Sequence, residues 1–138
     1  MERFKLGIVA APYHPAVRRM MDFVEGAVRA AGHAELTAVA EVAGSFEIPL
    51  ADKQMLKHRG VDGVITLGAI ERGETGHGVA LANAIFPALI GLGLEFEKPV
   101  GLGIIGPNAT REQIDSRAER VATEVVQAVI GPPPGSTS

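Results

Sequence analysis

Short apolar runs alternate with longer segments of helical periodicity along most of the chain. The runs are rich in valine, isoleucine, leucine and alanine and end near proline or glycine, which is typical of buried strands. Between them, apolar residues recur at spacings of three and four, as in the series Val17, Met20, Val24 and Val28 before Gly32. This pattern predicts strands over residues 5–11, 34–42, 61–70 and 98–105. It predicts helices over residues 16–31, 49–59, 77–96 and 111–130.

Single residues mark the beginning or the middle of several predicted helices. The fixed φ of Pro49 suits a first helical turn. Thr110 is followed three residues later by Gln113, which is the spacing of a capping box. Pro87 lies inside the predicted helix 77–96 and removes one backbone donor, so we expect that helix to kink or split there.

Four strands that are each followed by a helix require crossover connections, and these place helices on both faces of a parallel sheet. The predicted fold is therefore α/β: a doubly wound, flavodoxin-like three-layer α/β/α sandwich with a four-stranded parallel sheet. Ligands on such sheets bind beyond the carboxyl ends of the strands. We therefore expect the functional residues in the loops that follow the four predicted strands.

Composition fits one ordinary globular domain and excludes several functions. With 138 residues, we expect residues 1–131 to form a single domain and the Pro/Gly/Ser-rich residues 132–138 to be a disordered tail. The 13 basic and 16 acidic residues give a net charge of −3, which argues against a nucleic-acid surface. The absence of cysteine excludes disulfides, thiolate metal clusters and thiol nucleophiles.

The sequence also argues against metal sites, membrane insertion and secretion. The four histidines are scattered and form no pair at ligand spacing, so no metal site is expected. Residues 78–94 carry no charge, but they contain Asn83, Pro87 and three glycines, which disfavours a membrane span. Met1 to Leu6 is not followed by the apolar stretch of a secretory signal, so we expect a cytoplasmic protein.

The first two loops carry an aromatic pair and a carboxylate. Tyr13, held between two prolines, could stack on a flat heterocycle while His14 forms a hydrogen bond; the alternative is a loop that only shields the core. In the second loop, Gly44 and Ser45 leave backbone N–H groups free, and Glu47 lies where a helix begins and could bind hydroxyl groups. The alternative there is a simple helix entry with Phe46 in the core.

The third loop is typical of an anion site. Gly73 and Gly76 allow the backbone to approach a ligand, Thr75 offers a hydroxyl group, and a helix begins just after them. His77 at its rim could carry protons at neutral pH, although a lone exposed histidine is often inert. In the last helix, Arg117 could pair with a phosphate, but Arg111 and Arg120 are equally good candidates, and each could instead form a surface ion pair.

At these loops the chain resembles lumazine synthase, the penultimate enzyme of riboflavin biosynthesis, and especially its short archaeal members. The resemblance covers about residues 5–130. Its most specific segments are Gly44-Ser-Phe-Glu-Ile-Pro-Leu50, Gly73-Glu-Thr-Gly-His77 with Asn83 after it, and Gly106-Pro-Asn-Ala-Thr-Arg-Glu-Gln113 leading to Arg117.

The resemblance implies that 5-amino-6-(D-ribitylamino)uracil is condensed with 3,4-dihydroxy-2-butanone 4-phosphate to give 6,7-dimethyl-8-ribityllumazine, phosphate and water, without a cofactor. It makes His77 the proton shuttle. The implied pyrimidine and ribityl contacts are Tyr13, His14, Ser45, Phe46, Glu47, the backbone of Ala69, Ile70 and Glu71, and Leu102 of a neighbouring subunit. The implied phosphate contacts are Gly73, Glu74, Thr75 and Arg117, the last from a neighbouring subunit.

Several positions depart from the family pattern. Glu71 and Leu102 stand where the family usually has an apolar and an aromatic residue, and Val121 replaces a frequent basic residue. Gly78 and Val79 follow the histidine in place of bulkier and acidic residues. None of these changes removes a proposed catalytic group.

The resemblance also implies a homo-oligomer, either a pentamer or a hollow icosahedral shell of twelve pentamers. The broadly apolar segment after His77 agrees with burial on more than one side. Two alternatives stay open: an archaeal-type riboflavin synthase, which uses no butanone phosphate, and a flavin- or lumazine-binding shell protein without turnover.

Overall fold

The computed structural model describes residues 2–73 and 76–135, and in them four parallel strands alternate with four α-helices. The strands are β1 (Phe4–Ala10), β2 (Ala34–Glu41), β3 (Gly63–Glu71) and β4 (Val100–Ala109). The helices are α1 (Pro15–Ala31), α2 (Ile48–His58), α3 (His77–Phe96) and α4 (Arg111–Ile130). A single 3₁₀ turn, Ser45–Glu47, precedes α2. Of the predicted tail, residues 136–138 lie outside the described part.

The strands pair in the order β2-β1-β3-β4, and every pairing is parallel. Helices α1 and α4 cover one face of the sheet, where Val17, Met20 and Ile114 pack on Leu6 and Ile65. Helices α2 and α3 cover the other face and form a second apolar cluster. The predicted doubly wound, flavodoxin-like α/β/α sandwich is therefore confirmed.

The largest difference from the prediction is at the end of β4, which was expected at residue 105 and continues to Ala109. The last residues pair with the end of β3 after a register shift, since Glu71 is opposite Ala109. The Arg72 N–H then donates to the Ala109 carbonyl oxygen at 2.7 Å. Gly106 and Pro107 suggested a strand end in the sequence, but this long-range pairing extends the strand beyond them.

Two helix signals had different outcomes. The capping box at the start of α4 is confirmed, because the Thr110 hydroxyl accepts from the Gln113 N–H and the Gln113 side chain accepts from the Thr110 N–H. Pro87 does not split α3, which is one continuous helix from His77 to Phe96. The tertiary packing of α3 on the sheet outweighs the loss of one backbone hydrogen bond.

Helix α3 is apolar on its outer side as well as on the side that faces the sheet. Ala82, Ile85 and Leu89 are buried, whereas Ile90 and Leu94 are exposed. By length and composition α3 could cross a membrane, and only 22% of that stretch is buried within one chain. The outer apolar side of α3, including Ile90 and Leu94, therefore lacks cover from this chain.

Close packing of β4 on its neighbours makes Gly103 hard to replace. A Cβ at Gly103 would lie 2.7 Å from the Thr66 carbonyl oxygen, which is backbone and cannot turn aside. We expect Gly103→Ala to lower the free energy of unfolding by about 1–3 kcal/mol, as measured by urea denaturation. Gly26→Ala is the matched control: that site in α1 is exposed with open space around it, so this variant should gain about 0.5–1 kcal/mol. A Gly103→Ala chain as stable as its parent would contradict this packing.

Candidate active site

The turn after β1, the loop after β2 and the beginning of α3 line an open cavity of about 550 Å³ at the carboxyl ends of the strands. The residues that line it come from parts of the chain that are far apart in sequence. They are Tyr13, Ala43, Gly44, Ser45, Phe46, Glu47, His77 and Leu81. The cavity thus brings together five of the site residues that the resemblance implied: Tyr13, Ser45, Phe46, Glu47 and His77.

Tyr13 forms one wall of the cavity and is 56% exposed. It lies in the short turn between β1 and α1, with Pro12 before it and Pro15 two residues later. Its hydroxyl group donates a hydrogen bond to the carbonyl oxygen of Ala69 on β3. The ring is therefore available for stacking, but its polar tip is tied to the sheet.

His14 has a structural role that the sequence did not reveal. It is the N-cap of α1, and its Nδ1 accepts from the Ala16 N–H at 3.1 Å. The residue is only 5% exposed, and its Nε2 has no hydrogen-bond partner among the described residues. Because Nδ1 is an acceptor here, the proton of the neutral ring is on Nε2.

The second loop presents Phe46 and Glu47 to the cavity through the turn Ser45–Glu47. Phe46 is 70% exposed, which excludes the alternative in which it belongs to the core. The Ser45 side chain is buried against β3, where a Cβ on Gly68 would lie 3.3 Å from its Oγ. A tight turn with a buried anchor therefore holds an exposed aromatic ring and an exposed carboxylate side by side.

His77 reaches the cavity as the first residue of α3. The next residue is Gly78, where a Cβ would lie 3.0 Å from Cγ2 of Ile70. The first turn of α3 therefore packs directly on the end of β3, and a larger residue at position 78 would require the Ile70 side chain to shift. Glu74 and Thr75, which were predicted to bind phosphate, lie outside the described residues.

Comparison with known proteins identifies the family. The family model described as 6,7-dimethyl-8-ribityllumazine synthase matches residues 3–131. The chain belongs to this family.

Three archaeal relatives with that same name are similar over most of their length. The chain is 44% identical over 128 residues to the enzyme of Metallosphaera sedula. This alignment covers 91% of this chain and 83% of the relative. The chain is 40% identical over 131 residues to that of Saccharolobus solfataricus, with coverage of 91% and 82%. For Staphylothermus marinus the values are 39% over 130 residues, with coverage of 91% and 83%.

These comparisons confirm the resemblance seen in the sequence. The lumazine synthase family carries out the condensation step of riboflavin biosynthesis, and this chain is therefore a transferase of that pathway. The two alternatives, an archaeal-type riboflavin synthase and a non-catalytic shell protein, receive no support from the relatives found.

Glu71, which stands where the lumazine synthase family usually has an apolar residue, is turned toward α4. Its Oε1 lies 3.9 Å from Nε of Arg111, the first residue of that helix. Ala69 and Ile70, which precede it, are buried, and the Ala69 carbonyl oxygen accepts from the Tyr13 hydroxyl group. A surface ion pair was the alternative considered for Arg111 in the sequence, and the structure gives it Glu71 as the partner.

Two other residues implied by the lumazine synthase resemblance lie away from the cavity of their own chain. Leu102 is 37% exposed on β4, which is an edge strand of the sheet. Arg117 is exposed on α4, and none of the ion pairs in the described part of the chain involves it. Both residues are therefore accessible to a second copy of the chain.

The described residues contain no group of three or more histidine, aspartate or glutamate side chains placed to hold a metal ion. A second opening, of about 580 Å³, lies between the C-terminal ends of α1 and α4. It is lined mainly by alanine, valine, isoleucine and proline, and His33 there contacts two backbone carbonyl oxygens. That opening lacks the carboxylate and aromatic groups of the first cavity.

Proposed function

We propose that the cavity at the carboxyl ends of β1, β2 and β3 is the active site in which the two substrates condense, with His77 as the proton shuttle. The observation that carries this proposal is that Tyr13, Glu47 and His77 line one cavity although they are distant in sequence. The two-substrate assay tests it: the chain should form 6,7-dimethyl-8-ribityllumazine and release phosphate only when both substrates are present.

The pyrimidine substrate is placed between the two aromatic walls of the cavity. Tyr13 and Phe46 are the exposed rings available for stacking on its flat heterocycle. Glu47 lies next to Phe46 and accepts hydrogen bonds from the ribityl hydroxyl groups. The backbone of residues 69–71 at the end of β3 pairs with the polar edge of the ring. His14, as a buried helix cap, supports the Tyr13 turn from behind the binding surface.

His77 is suited to the chemistry because the condensation moves several protons. An amine attacks a ketone, water leaves to give an imine, phosphate is eliminated, and a second amine closes the ring with loss of a second water. A neutral imidazole can accept a proton on one nitrogen and donate from the other, so one residue can serve several of these steps. Holding both reactants in place supplies much of the remaining acceleration.

The phosphate subsite is assigned to the segment that connects β3 to α3. Gly73 is exposed at its start, and α3 begins at His77, so backbone N–H groups and the positive end of a helix are near one another. Glu74 and Thr75 complete this proposed subsite. Arg117 of a neighbouring subunit supplies the guanidinium group that neutralises the phosphate charge.

We propose that the protein works as a homo-oligomer, a pentamer or a shell of twelve pentamers, in the cytoplasm. The exposed apolar side of α3 and the accessible Leu102 and Arg117 support an assembly in which neighbouring copies cover one another. Light scattering and native mass spectrometry measure the number of copies directly.

Arg117→Ala should mainly weaken use of the phosphorylated substrate. Loss of a charge-assisted, bidentate contact is expected to raise its KM by about 10- to 100-fold, with a small change in the KM of the pyrimidine. Steady-state kinetics with each substrate varied in turn measures this. Arg120→Ala is the matched control, because Arg120 is also exposed on α4. Equal effects of the two variants would remove Arg117 from the site.

Mixing variant chains tests whether Arg117 acts across a subunit boundary. Chains that carry His77→Ala and chains that carry Arg117→Ala are unfolded together and refolded. Some sites in the mixed assemblies then receive an intact His77 from one chain and an intact Arg117 from its neighbour. Activity above that of either variant alone supports a shared site, and activity equal to their average contradicts it.

A further inference from the structure

The hydroxyl group of Tyr13 donates a hydrogen bond to a backbone carbonyl oxygen of β3, at the point where strand β1 ends. The last hydrogen bond between β1 and β3 is donated by the Ala11 N–H to the Leu67 carbonyl oxygen, at 2.9 Å. Carbonyl groups two residues apart on a strand face the same neighbour, so the Ala69 oxygen is the next acceptor on the β1 side. The Tyr13 hydroxyl donates to this Ala69 oxygen.

The Tyr13 hydroxyl group thus donates the hydrogen bond that the Tyr13 backbone N–H would donate in a longer strand. Had β1 continued in register, the Tyr13 N–H would have been the next donor, two residues beyond Ala11. Pro12 has no N–H and begins a turn, which takes the backbone away from β3. The hydroxyl group then satisfies the acceptor that the backbone leaves open.

This contact covers the part of β3 at which the proposed function places the edge of the pyrimidine. Ala69 is fully buried in the structure, so its carbonyl oxygen is not accessible to a ligand while Tyr13 is in place. The Ala69 side chain is a methyl group, and the backbone is therefore the only polar group that this residue can offer. A ring N–H of the substrate can pair with Ala69 only after the Tyr13 hydroxyl has moved.

The Tyr13 side chain can move without a change in the loop. The ring is 56% exposed, and the hydrogen bond to Ala69 is the polar contact that the described structure gives it. The backbone on either side is held by Pro12 and by His14, which caps α1. Rotation of the side chain about its own bonds is thus sufficient to free the Ala69 oxygen.

We propose that the Tyr13 hydroxyl group gates the pyrimidine subsite: it closes the Ala69 acceptor in most molecules of the empty protein, and the substrate binds to those in which the hydroxyl has released it. This inference rests on the proposed position of the pyrimidine at residues 69–71. The gate acts on association, because the binding-competent state is the fraction of molecules in which the hydroxyl is released.

Tyr13→Phe is the test, since it removes the hydroxyl group and keeps the ring for stacking. The probe is 5-amino-6-(D-ribitylamino)uracil alone, without the butanone phosphate, in stopped-flow binding. Loss of one hydrogen bond that competes with the substrate is expected to raise the association rate constant by about 2- to 10-fold and to lower Kd by a similar factor. The KM of the phosphorylated substrate should not change.

An association rate constant for Tyr13→Phe that is equal to or lower than that of the parent overturns the gate. Most substitutions in a binding site change the dissociation rate, so a faster association is not expected from a merely structural contact. Urea denaturation of Tyr13→Phe shows that the variant is folded before binding is compared.

Tyr13→Ala separates failure of the gate from failure of the proposed site. If Tyr13→Ala binds the pyrimidine more weakly while Tyr13→Phe associates no faster, the stacking role survives and the gate is wrong. If neither variant differs from the parent in pyrimidine binding, the gate is wrong and the proposed location of the pyrimidine is wrong as well.

Discussion

Replacing His77 with alanine should lower kcat by about 10²- to 10⁴-fold, the usual contribution of a positioned acid or base. His77 is the first residue of α3 and lines the cavity together with Tyr13 and Glu47. Phosphate binding should remain largely intact, because the proposed phosphate contacts are the residues 73–75 and Arg117. The variant therefore separates proton transfer from substrate capture: kcat falls, and the KM of the phosphorylated substrate changes little.

Steady-state formation of the lumazine product, measured together with phosphate release, checks this expectation. His58→Ala is a matched control, because His58 is an exposed histidine at the C-terminal end of α2 and does not line the cavity. Its kinetics should match those of the parent. If His77→Ala retained the parent kcat, the cavity would remain a binding site, and another group would have to move the protons.

The second large effect concerns stability and comes from Asp52. Its side chain lies on the buried face of α2, with Ile48, Met55 and Leu56, and is completely buried. Neither carboxyl oxygen has a hydrogen-bond partner among the described residues. Burial without compensation raises the pKa of Asp52 from 3.8 to about 8. At neutral pH the folded protein therefore keeps this carboxyl group protonated.

The sign of the pH dependence follows from this raised pKa. Between about pH 4 and about pH 8 the unfolded chain ionises Asp52 and the folded chain does not, so rising pH favours unfolding. The contribution of protonated Asp52 to the free energy of unfolding is fully present below about pH 4. It is lost progressively as the pH rises through about 8. Asp52 should lower the free energy of unfolding by about 1.4 kcal/mol for each pH unit in this window.

Asp52→Asn removes the titration and keeps nearly the same shape. The difference in unfolding free energy between this variant and the parent should grow by about 1.4 kcal/mol per unit from about pH 5 to about pH 7, in favour of the variant. Urea denaturation at one fixed protein concentration measures it, since assembly also contributes to stability. Asp22→Asn, at an exposed site in α1, is the control and should show no such trend. A constant difference for Asp52→Asn would mean that the buried carboxyl group ionises in the folded protein.

The sequence carries a signal for the burial of Asp52. Ile48, Asp52, Met55 and Leu56 are spaced by four, three and one, so a helical projection already places the aspartate on the apolar face. Its complete burial depends on how closely α2 packs against the sheet and α3. That packing is a property of the whole fold.

Most of the architecture could be read from local patterns. Apolar periodicity predicted all four strands and all four helices, and the bounds of α3 and α4 agree with the prediction. The capping box at Thr110 was correct because it involves residues three apart, which the sequence displays directly. By contrast, the predicted end of β4 was wrong, since the true end depends on pairing with Glu71, which is distant in sequence.

For the candidate site, local pattern was enough to show which loops carry chemistry, because the carboxyl ends of parallel strands meet at one edge whatever the side chains are. Three facts needed the folded chain: the exposure of Phe46, the role of His14 as a helix cap, and the contact of Tyr13 with Ala69. Tyr13 and Ala69 are 56 residues apart. Contacts over such separations are fixed by the packing of the sheet and its helices, and hydrophobic periodicity reports only which face of each element is buried.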